Sequence, residues 1–154
     1  MTPKAKRNPL RDDMAGKAFV VTQALCKELA PLDLDKLFAT GSVLDAVPGD
    51  VIVEQDATDD TMYMIVEGTV SVRVTRGAEQ QEVATLERPA LFGEMAVLTR
   101  APRRASVVAV TDARLIELPG SAVREVAESS EKFGRRLAML MAARGKDLEK
   151  KTGG

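Results

Sequence analysis

The sequence contains no histidine and no tryptophan, a single cysteine (Cys26), and only 3% aromatic residues. Without histidine the commonest general base and the commonest metal ligand are missing, which argues against Ser-His hydrolysis and zinc chemistry. One cysteine cannot close an intramolecular disulfide, so a reducing, cytoplasmic setting is expected. Long hydrophobic runs are missing too. The longest, Leu137 to Ala143, falls far short of the roughly 20 apolar residues of a membrane-spanning helix, and the basic stretch MTPKAKRNPLRDDMAGK leads into no apolar run of signal-peptide length. Neither sign of charge is in excess, with 22 basic against 23 acidic residues, so the balance gives no reason to expect nucleic acid or membrane insertion.

What is present is enough apolar residue, 45% of 154, for one core and therefore one domain. Residues 1–17 show no apolar period and read as a flexible arm, with 18–154 as the domain. Over about 19–44, Val21, Leu25, Leu29, Leu32, Leu34, Leu37 and Phe38 recur at helical spacing, broken at Ala30 and Pro31, which predicts two short helices. From Asp45 the texture becomes β. Val70, Val72 and Val74 alternate with Ser71, Arg73 and Thr75, Gly77 turns the chain, and Gln81 to Leu86 is the hairpin partner. Further strands are predicted at Val51 to Gln55, Met62 to Glu67, Ala105 to Val110 and Arg114 to Leu118, a cadence that suggests a small barrel or jelly roll over about 45–118. Helical spacing returns at Val123, Val126 and Ala127, and a longer helix is predicted from Glu131 to about Lys150. Its lysines and arginines exceed its acids, which reads as a solvated face. Asp56, Asp59 and Asp60 lack the spacing of a calcium loop and read as a solvated hairpin tip, so no metal is predicted.

The segment FGEMAVLTRAPRRASV, Phe92 to Val107, carries the chemistry. A turn of helix starting at Gly93 and Glu94 would leave backbone N–H groups free to face an anion, and Gly93 would let that anion approach closely. Arg103, returned by the loop from Thr99 to Pro102, is placed to grip a phosphate with two parallel hydrogen bonds. A carboxylate beside a phosphate is repelled by it, so Glu94 is expected to accept from another part of the ligand, such as a sugar hydroxyl. A ribose phosphate meets both demands.

The segment resembles the phosphate-binding cassette of cyclic-nucleotide-binding domains: F-G-E, an aliphatic stretch, then P-R-x-A-T/S-V. Phe92, Gly93, Glu94, Ala96, Pro102, Arg103, Ala105, Ser106 and Val107 stand at the family's spacing. Upstream, PGDVIVEQ from Pro48 and MYMIVEGTVSV from Met62 resemble the family's first strands, and the likeness covers about 32–151. It implies an eight-stranded antiparallel β-roll (jelly roll), mostly β, with N-terminal helices and C-terminal hinge and lid helices. It further implies a cAMP or cGMP sensor, cAMP being the first expectation, that signals to a protein effector by moving its C-terminal helix. By position, Glu94 would accept the ribose 2′-OH and Arg103 would hold the cyclic phosphate. Backbone N–H groups near Gly93, Ala96 and Ala105 would add donors, with Met95 beside them.

Three departures stand out. Gln55-Asp56-Ala57 places Asp56 where the family has a glycine in a left-handed turn, a conformation aspartate tolerates. Arg104 follows the phosphate arginine where cAMP-preferring members commonly have alanine and cGMP-preferring ones threonine, which leaves base preference open. Ser106 can donate to the phosphate or to a guanine edge. Leu137, Met141 and Arg144 share one helical face, so aliphatic cover and a guanidinium over the purine are both available to a lid. Leu137, Leu140, Met141 and Leu148 also leave open a homodimer through this helix.

Rival readings remain at this stage. A regulator of the catabolite activator type would need a helix-turn-helix after the long helix, and Gly154 leaves no room for one, so a free-standing module without nucleic acid is expected. A degenerate domain could keep the fold as an interaction or dimerisation surface without nucleotide, but intact Glu94 and Arg103 argue against it. An enzyme is the weakest reading, for want of a nucleophile, base or paired carboxylates. The string Arg103-Arg104-Ala105-Ser106 also fits a basophilic kinase site, but Ser106 opens a predicted strand.

Overall fold

Thr61–Glu67 is a strand buried on both faces, and the molecule is layered around it. The computed structural model describes residues 6–9 and 30–152 of the chain. Met62, Met64 and Val66 point from this strand into one apolar cluster, while Tyr63 and Ile65, on the alternate face, point into another. A strand so placed reads as a continuous hydrophobic run, as MYMIV does.

In chain order the elements are β1 (Lys6–Pro9), α1 (Pro31–Phe38), β2 (Ser42–Ala46), β3 (Val51–Val53), β4 (Thr61–Glu67), β5 (Thr69–Arg76) and β6 (Glu79–Glu87). They continue with β7 (Ala90–Phe92), α2 (Glu94–Thr99), β8 (Ser106–Ala109), β9 (Ala113–Pro119), α3 (Gly120–Ser129) and α4 (Glu131–Thr152). One sheet has the order β1-β2-β9-β4-β7 and the other β3-β8-β5-β6, with antiparallel pairing throughout. Strands β2 to β9 are thus the eight-stranded β-roll, with helices before and after it. Tyr63, Ile65, Val70, Phe92, Val107 and Leu115 fill the space between the sheets. On the outer face of the first sheet, Met62, Met64 and Ile116 meet Leu37 of α1, Val123 and Val126 of α3, and Phe133 and Leu137 of α4. The helices are therefore docked on the strand that also approaches the cassette.

The structure departs from the sequence reading at the N-terminal side. The first of the two helices expected over 19–44 lies outside the described residues. The second stops at Phe38, and Ser42–Ala46 is a strand, paired with β9 from Ser42 opposite Glu117 to Ala46 opposite Ala113. Val43 and Leu44 are both buried, one in each cluster, so the end of the span read as helical serves two faces of a strand instead, beyond the last of the helically spaced residues at Phe38. Of the segment read as an arm, residues 6–9 pair with β2 at the sheet edge, and the rest lies outside the described residues. Asp56 adopts the left-handed conformation expected there, with φ 72°.

Two further glycines or turns position the helices. Gly120, at the start of α3, packs so closely on Asp60 that a Cβ would lie 2.0 Å from its Oδ1, and its N–H donates to the Asp60 carbonyl at 2.9 Å. Gly134 lets α4 cross α3, since a Cβ there would lie 2.8 Å from the Ala127 carbonyl oxygen.

Candidate functional site

Helix α2 follows β7 through Gly93, which takes φ 92°. That conformation favours glycine, and space demands it as well: a Cβ would sit 2.8 Å from the Thr61 carbonyl oxygen and 2.9 Å from Arg103 Nη1. The sequence reading gave this glycine to ligand approach; the structure gives its missing side chain to the arginine. The first N–H groups of α2 have no acceptor within the helix.

Arg103 is buried, 4% exposed, and nearly all its donors are engaged. Nε donates to Asp59 Oδ1 at 3.2 Å and Nη2 to Asp59 Oδ2 at 2.8 Å. Nη2 also reaches the Thr61 carbonyl at 2.7 Å and the Thr61 hydroxyl at 3.0 Å, while Nη1 donates to the Gly93 carbonyl at 3.3 Å. A guanidinium has five N–H groups, so one Nη1 hydrogen is left for a ligand. The edge that could grip a phosphate with two parallel bonds belongs to Asp59. The backbone of Arg103 is pinned too: its N–H donates to the Ala57 carbonyl and its carbonyl accepts from Asp56 N–H, both at 2.8 Å.

Asp59 is exposed, as a solvated tip should be, but the sequence reading missed its role as the acceptor of Arg103. The Arg103 guanidinium holds its carboxyl below the usual carboxylate range, against the opposing effect of partial burial. Asp60 is likewise held low, by Arg124 of α3, which grips it at 2.8 and 2.9 Å and also donates to the Val97 carbonyl at 3.1 Å. Nothing local announces either pair, because the partners stand 44 and 64 residues apart. Behind Arg103, the Thr61 and Tyr63 hydroxyls lie 3.0 Å apart, Tyr63 stacks on Phe92 with ring centroids 5.0 Å apart, and burial pushes the Tyr63 hydroxyl up to about 12.

In front of this network opens a cavity of about 480 Å³, bounded by α2, the loop after it, β5, β6, β8 and one residue of α4. Gly93, Glu94, Met95, Ala96, Arg103, Arg104, Ala105 and Arg144 all line it, with Val53, Val72, Val83, Leu86, Phe92 and Val107 as apolar wall. Ser106 is not on the wall; its Oγ accepts from Gln55 N–H at 2.9 Å and so joins β8 to the β3–β4 loop. Glu94 is buried at 2% exposure, and Arg144 Nη1 donates to its Oε2 at 2.9 Å across 50 residues of sequence. Of the three lid candidates only Arg144 reaches the cavity. Leu137 is in the helix-side core, and Met141 lies off the wall. Arg104 is exposed, with one contact, from Nη1 to Met95 Sδ at 3.7 Å. Among the described residues no three His, Cys, Asp or Glu side chains cluster as metal ligands do, and no helix is long and apolar enough to cross a membrane.

Chemically, the cavity offers an apolar slot, a carboxylate acceptor, a buried guanidinium and free backbone donors. That is a set suited to a small ligand with a planar apolar part, hydroxyls and one anionic group. The chain is also similar to known proteins. A regulatory subunit of cAMP-dependent protein kinase from Mycosarcoma maydis is 30% identical over 125 residues, 79% of this chain and 22% of that protein. The chain thus spans about a fifth of the length of that relative. The crystal structure of the catabolite activator protein of Thermus thermophilus superposes with a TM-score of 0.71 at 27% identity, covering 84% of this chain and 61% of the other. A cyclic nucleotide-binding domain from Methylobacillus flagellatus gives 0.76 at 20% identity, covering 96% and 87%, which concerns the fold alone. The family model for the cyclic nucleotide-binding domain matches residues 44–130, a span that runs from β2 through the cassette to the end of α3, and by that match the chain belongs to the cyclic nucleotide-binding domain family.

Proposed function

We propose that this protein is a non-catalytic sensor of a purine cyclic nucleotide, cAMP first and cGMP second, that reports occupancy through α4 to a protein effector. The observation that carries the reading is the Glu94–Arg144 pair. The carboxylate that would accept a ribose hydroxyl is held by a residue of the C-terminal helix, so sugar binding and helix position would use the same group. The cyclic phosphate takes the remaining Nη1 hydrogen of Arg103 and the first N–H groups of α2, while the base lies against the valine and leucine wall. A ribose hydroxyl donating to Glu94 competes with Arg144 or joins it. Either event changes what holds α4 over the cavity, and a ligand shifts the helix by as much as it favours one position over the other. The cAMP-dependent kinase subunit among the relatives supports cAMP as the first ligand to try.

A thermal-shift titration with cAMP and cGMP tests this. Ligand at 100 times its Kd adds about 2.7 kcal/mol, and for a chain of this size the melting temperature should rise by roughly 5–10 °C. An unchanged melting curve with both nucleotides at millimolar concentration would overturn the sensor reading.

A further inference from the structure

Four charged side chains line the cavity, and three of them are already answered: Glu94 by Arg144 at 2.9 Å and Arg103 by Asp59 at 2.8 Å. Arg104 is the fourth. Among the described residues its guanidinium makes a single hydrogen-bond contact, to the weak acceptor Met95 Sδ at 3.7 Å. It stands on the rim under the lid helix, where a Cβ on Gly145 would lie 4.0 Å from its Nη1 and 3.9 Å from Met95 Cε. The rest of the wall carries few groups able to read a base. Thr99 is the uncharged hydroxyl there, and it is engaged, donating to the Met95 carbonyl at 2.6 Å and accepting from Ala101 N–H at 3.3 Å.

A guanidinium is donor only. With the phosphate and sugar assigned, as proposed above, to Arg103, the α2 backbone and Glu94, the edge of the base is the ligand group left for Arg104, which stands on the cavity rim. Two purine edges then behave differently. Guanine presents two acceptors side by side, O6 and N7, which an arginine meets with two parallel bonds, whereas adenine replaces O6 by an amine that a donor cannot meet. Resting on the cyclic-nucleotide reading above, we infer that Arg104 reads the O6/N7 edge of a 6-oxopurine and adds affinity for such ligands that an adenine nucleotide does not receive. The inference concerns a ratio, not which nucleotide binds more tightly overall.

Calorimetry with cAMP, cGMP and cyclic inosine monophosphate on the unaltered protein and on Arg104→Ala reads it directly. Inosine has O6 and N7 but lacks the 2-amino group of guanine, so it isolates the edge in question. Arg104→Ala should weaken the two 6-oxopurine ligands about tenfold more than it weakens cAMP, within the roughly 5- to 150-fold that a bidentate arginine contact discriminates. Arg104→Gln, which offers one donor and one acceptor, should move the ratio further toward cAMP. Because Arg104 is exposed, both variants should melt with the parent. Equal weakening of all three ligands would mean that Arg104 serves the phosphate, and would overturn the proposal while leaving the cyclic-nucleotide reading intact. A loss confined to cGMP, with cyclic inosine monophosphate tracking cAMP, would overturn it as well by pointing to the 2-amino group. Absence of binding by the unaltered protein would overturn both.

Discussion

The two ends of the cavity solve the problem of holding a charge in different ways. At the deep end Arg103 is 4% exposed and five contacts to Asp59, Thr61 and Gly93 fix it, with its backbone bonded to both sides of the Asp56–Ala57 turn. At the rim Arg104 is exposed beside a thioether, and Arg144 is partly exposed over Glu94. A buried cation without a partner costs several kcal/mol, so the deep end has to be complete before any ligand arrives. Arg104 carries no such requirement, whereas Arg144 can leave the buried Glu94 only where a ligand hydroxyl donates in its place. Under the proposed function the difference would separate a prebuilt anion seat from an adjustable cover, a division that limits the ordering cost of binding to the cover.

Removing Asp59 should break this contrast most severely. Asp59→Ala leaves Arg103 buried with neutral acceptors only. A fully buried broken pair costs about 3–5 kcal/mol, and the partial exposure of Asp59 reduces this to about 2–3 kcal/mol. Urea melts should show it, and replacing both partners, Asp59→Ala with Arg103→Met, should recover part of the loss. A double variant no more stable than Asp59→Ala would mean that the cost lies in packing and not in the stranded charge.

Gly93→Ala is expected to come next. With φ 92° and a Cβ 2.9 Å from Arg103 Nη1, the added methyl group strains the backbone and displaces the guanidinium. About 2 kcal/mol of stability and at least tenfold in nucleotide affinity should be lost together. Lost stability with affinity intact would show that Arg103 need not keep its place for the ligand to bind.

How these contacts were spread along the chain decides what could be read from it. The cassette was legible as a segment because Gly93, Glu94 and Arg103 lie close together at the spacing of the family it resembles, whereas the room Gly93 leaves for Arg103 and the hold of Asp59 on that arginine were not. The roll was legible where valines alternate with polar residues, as in β5, although Ser71 on the polar face is buried there, and at β4, whose apolar run is continuous. Ser42–Ala46 was not, because a strand buried on both faces at Val43 and Leu44 has no alternation to read, and its identity comes from pairing with β9. Asp59 and Asp60 were illegible for the same reason at the level of charge. In sequence they are acids in a loop, and only the fold brings Arg103 and Arg124 to them.

Acid titration sharpens the comparison by a smaller effect. Asp59 and Asp60 are both held below the ordinary aspartate value of 3.8, so in acid the unfolded chain binds protons that the folded chain refuses. Stability from these pairs is therefore complete well above 3.8 and is lost as pH falls through the lower folded values. Below about pH 4 the stability of the unaltered protein should fall more steeply than that of Asp59→Asn. Parallel curves would assign acid sensitivity to other carboxylates.

The smallest stability effect is expected at Arg124, and it is the one that joins the two ends. Its pair with Asp60 is partly exposed, so Arg124→Ala should cost about 0.5–1 kcal/mol. Yet Arg124 ties α3 both to the residue beside Asp59 and, through the Val97 carbonyl, to the body of the cassette helix α2. Under the proposed function, a shift of Arg103 toward a phosphate would move Asp59, hence Asp60, and through Arg124 the helix that precedes α4. A spin-label pair, one label at Met139 on the exposed face of α4 and one at Thr85 on β6, should then report a ligand-dependent distance change in the unaltered protein that is reduced in Arg124→Ala, with nucleotide affinity changed far less than the motion. An undiminished distance change would place the link between ligand and helix at the rim, where Arg144 meets Glu94, so the same measurement decides whether the deep end signals or only binds.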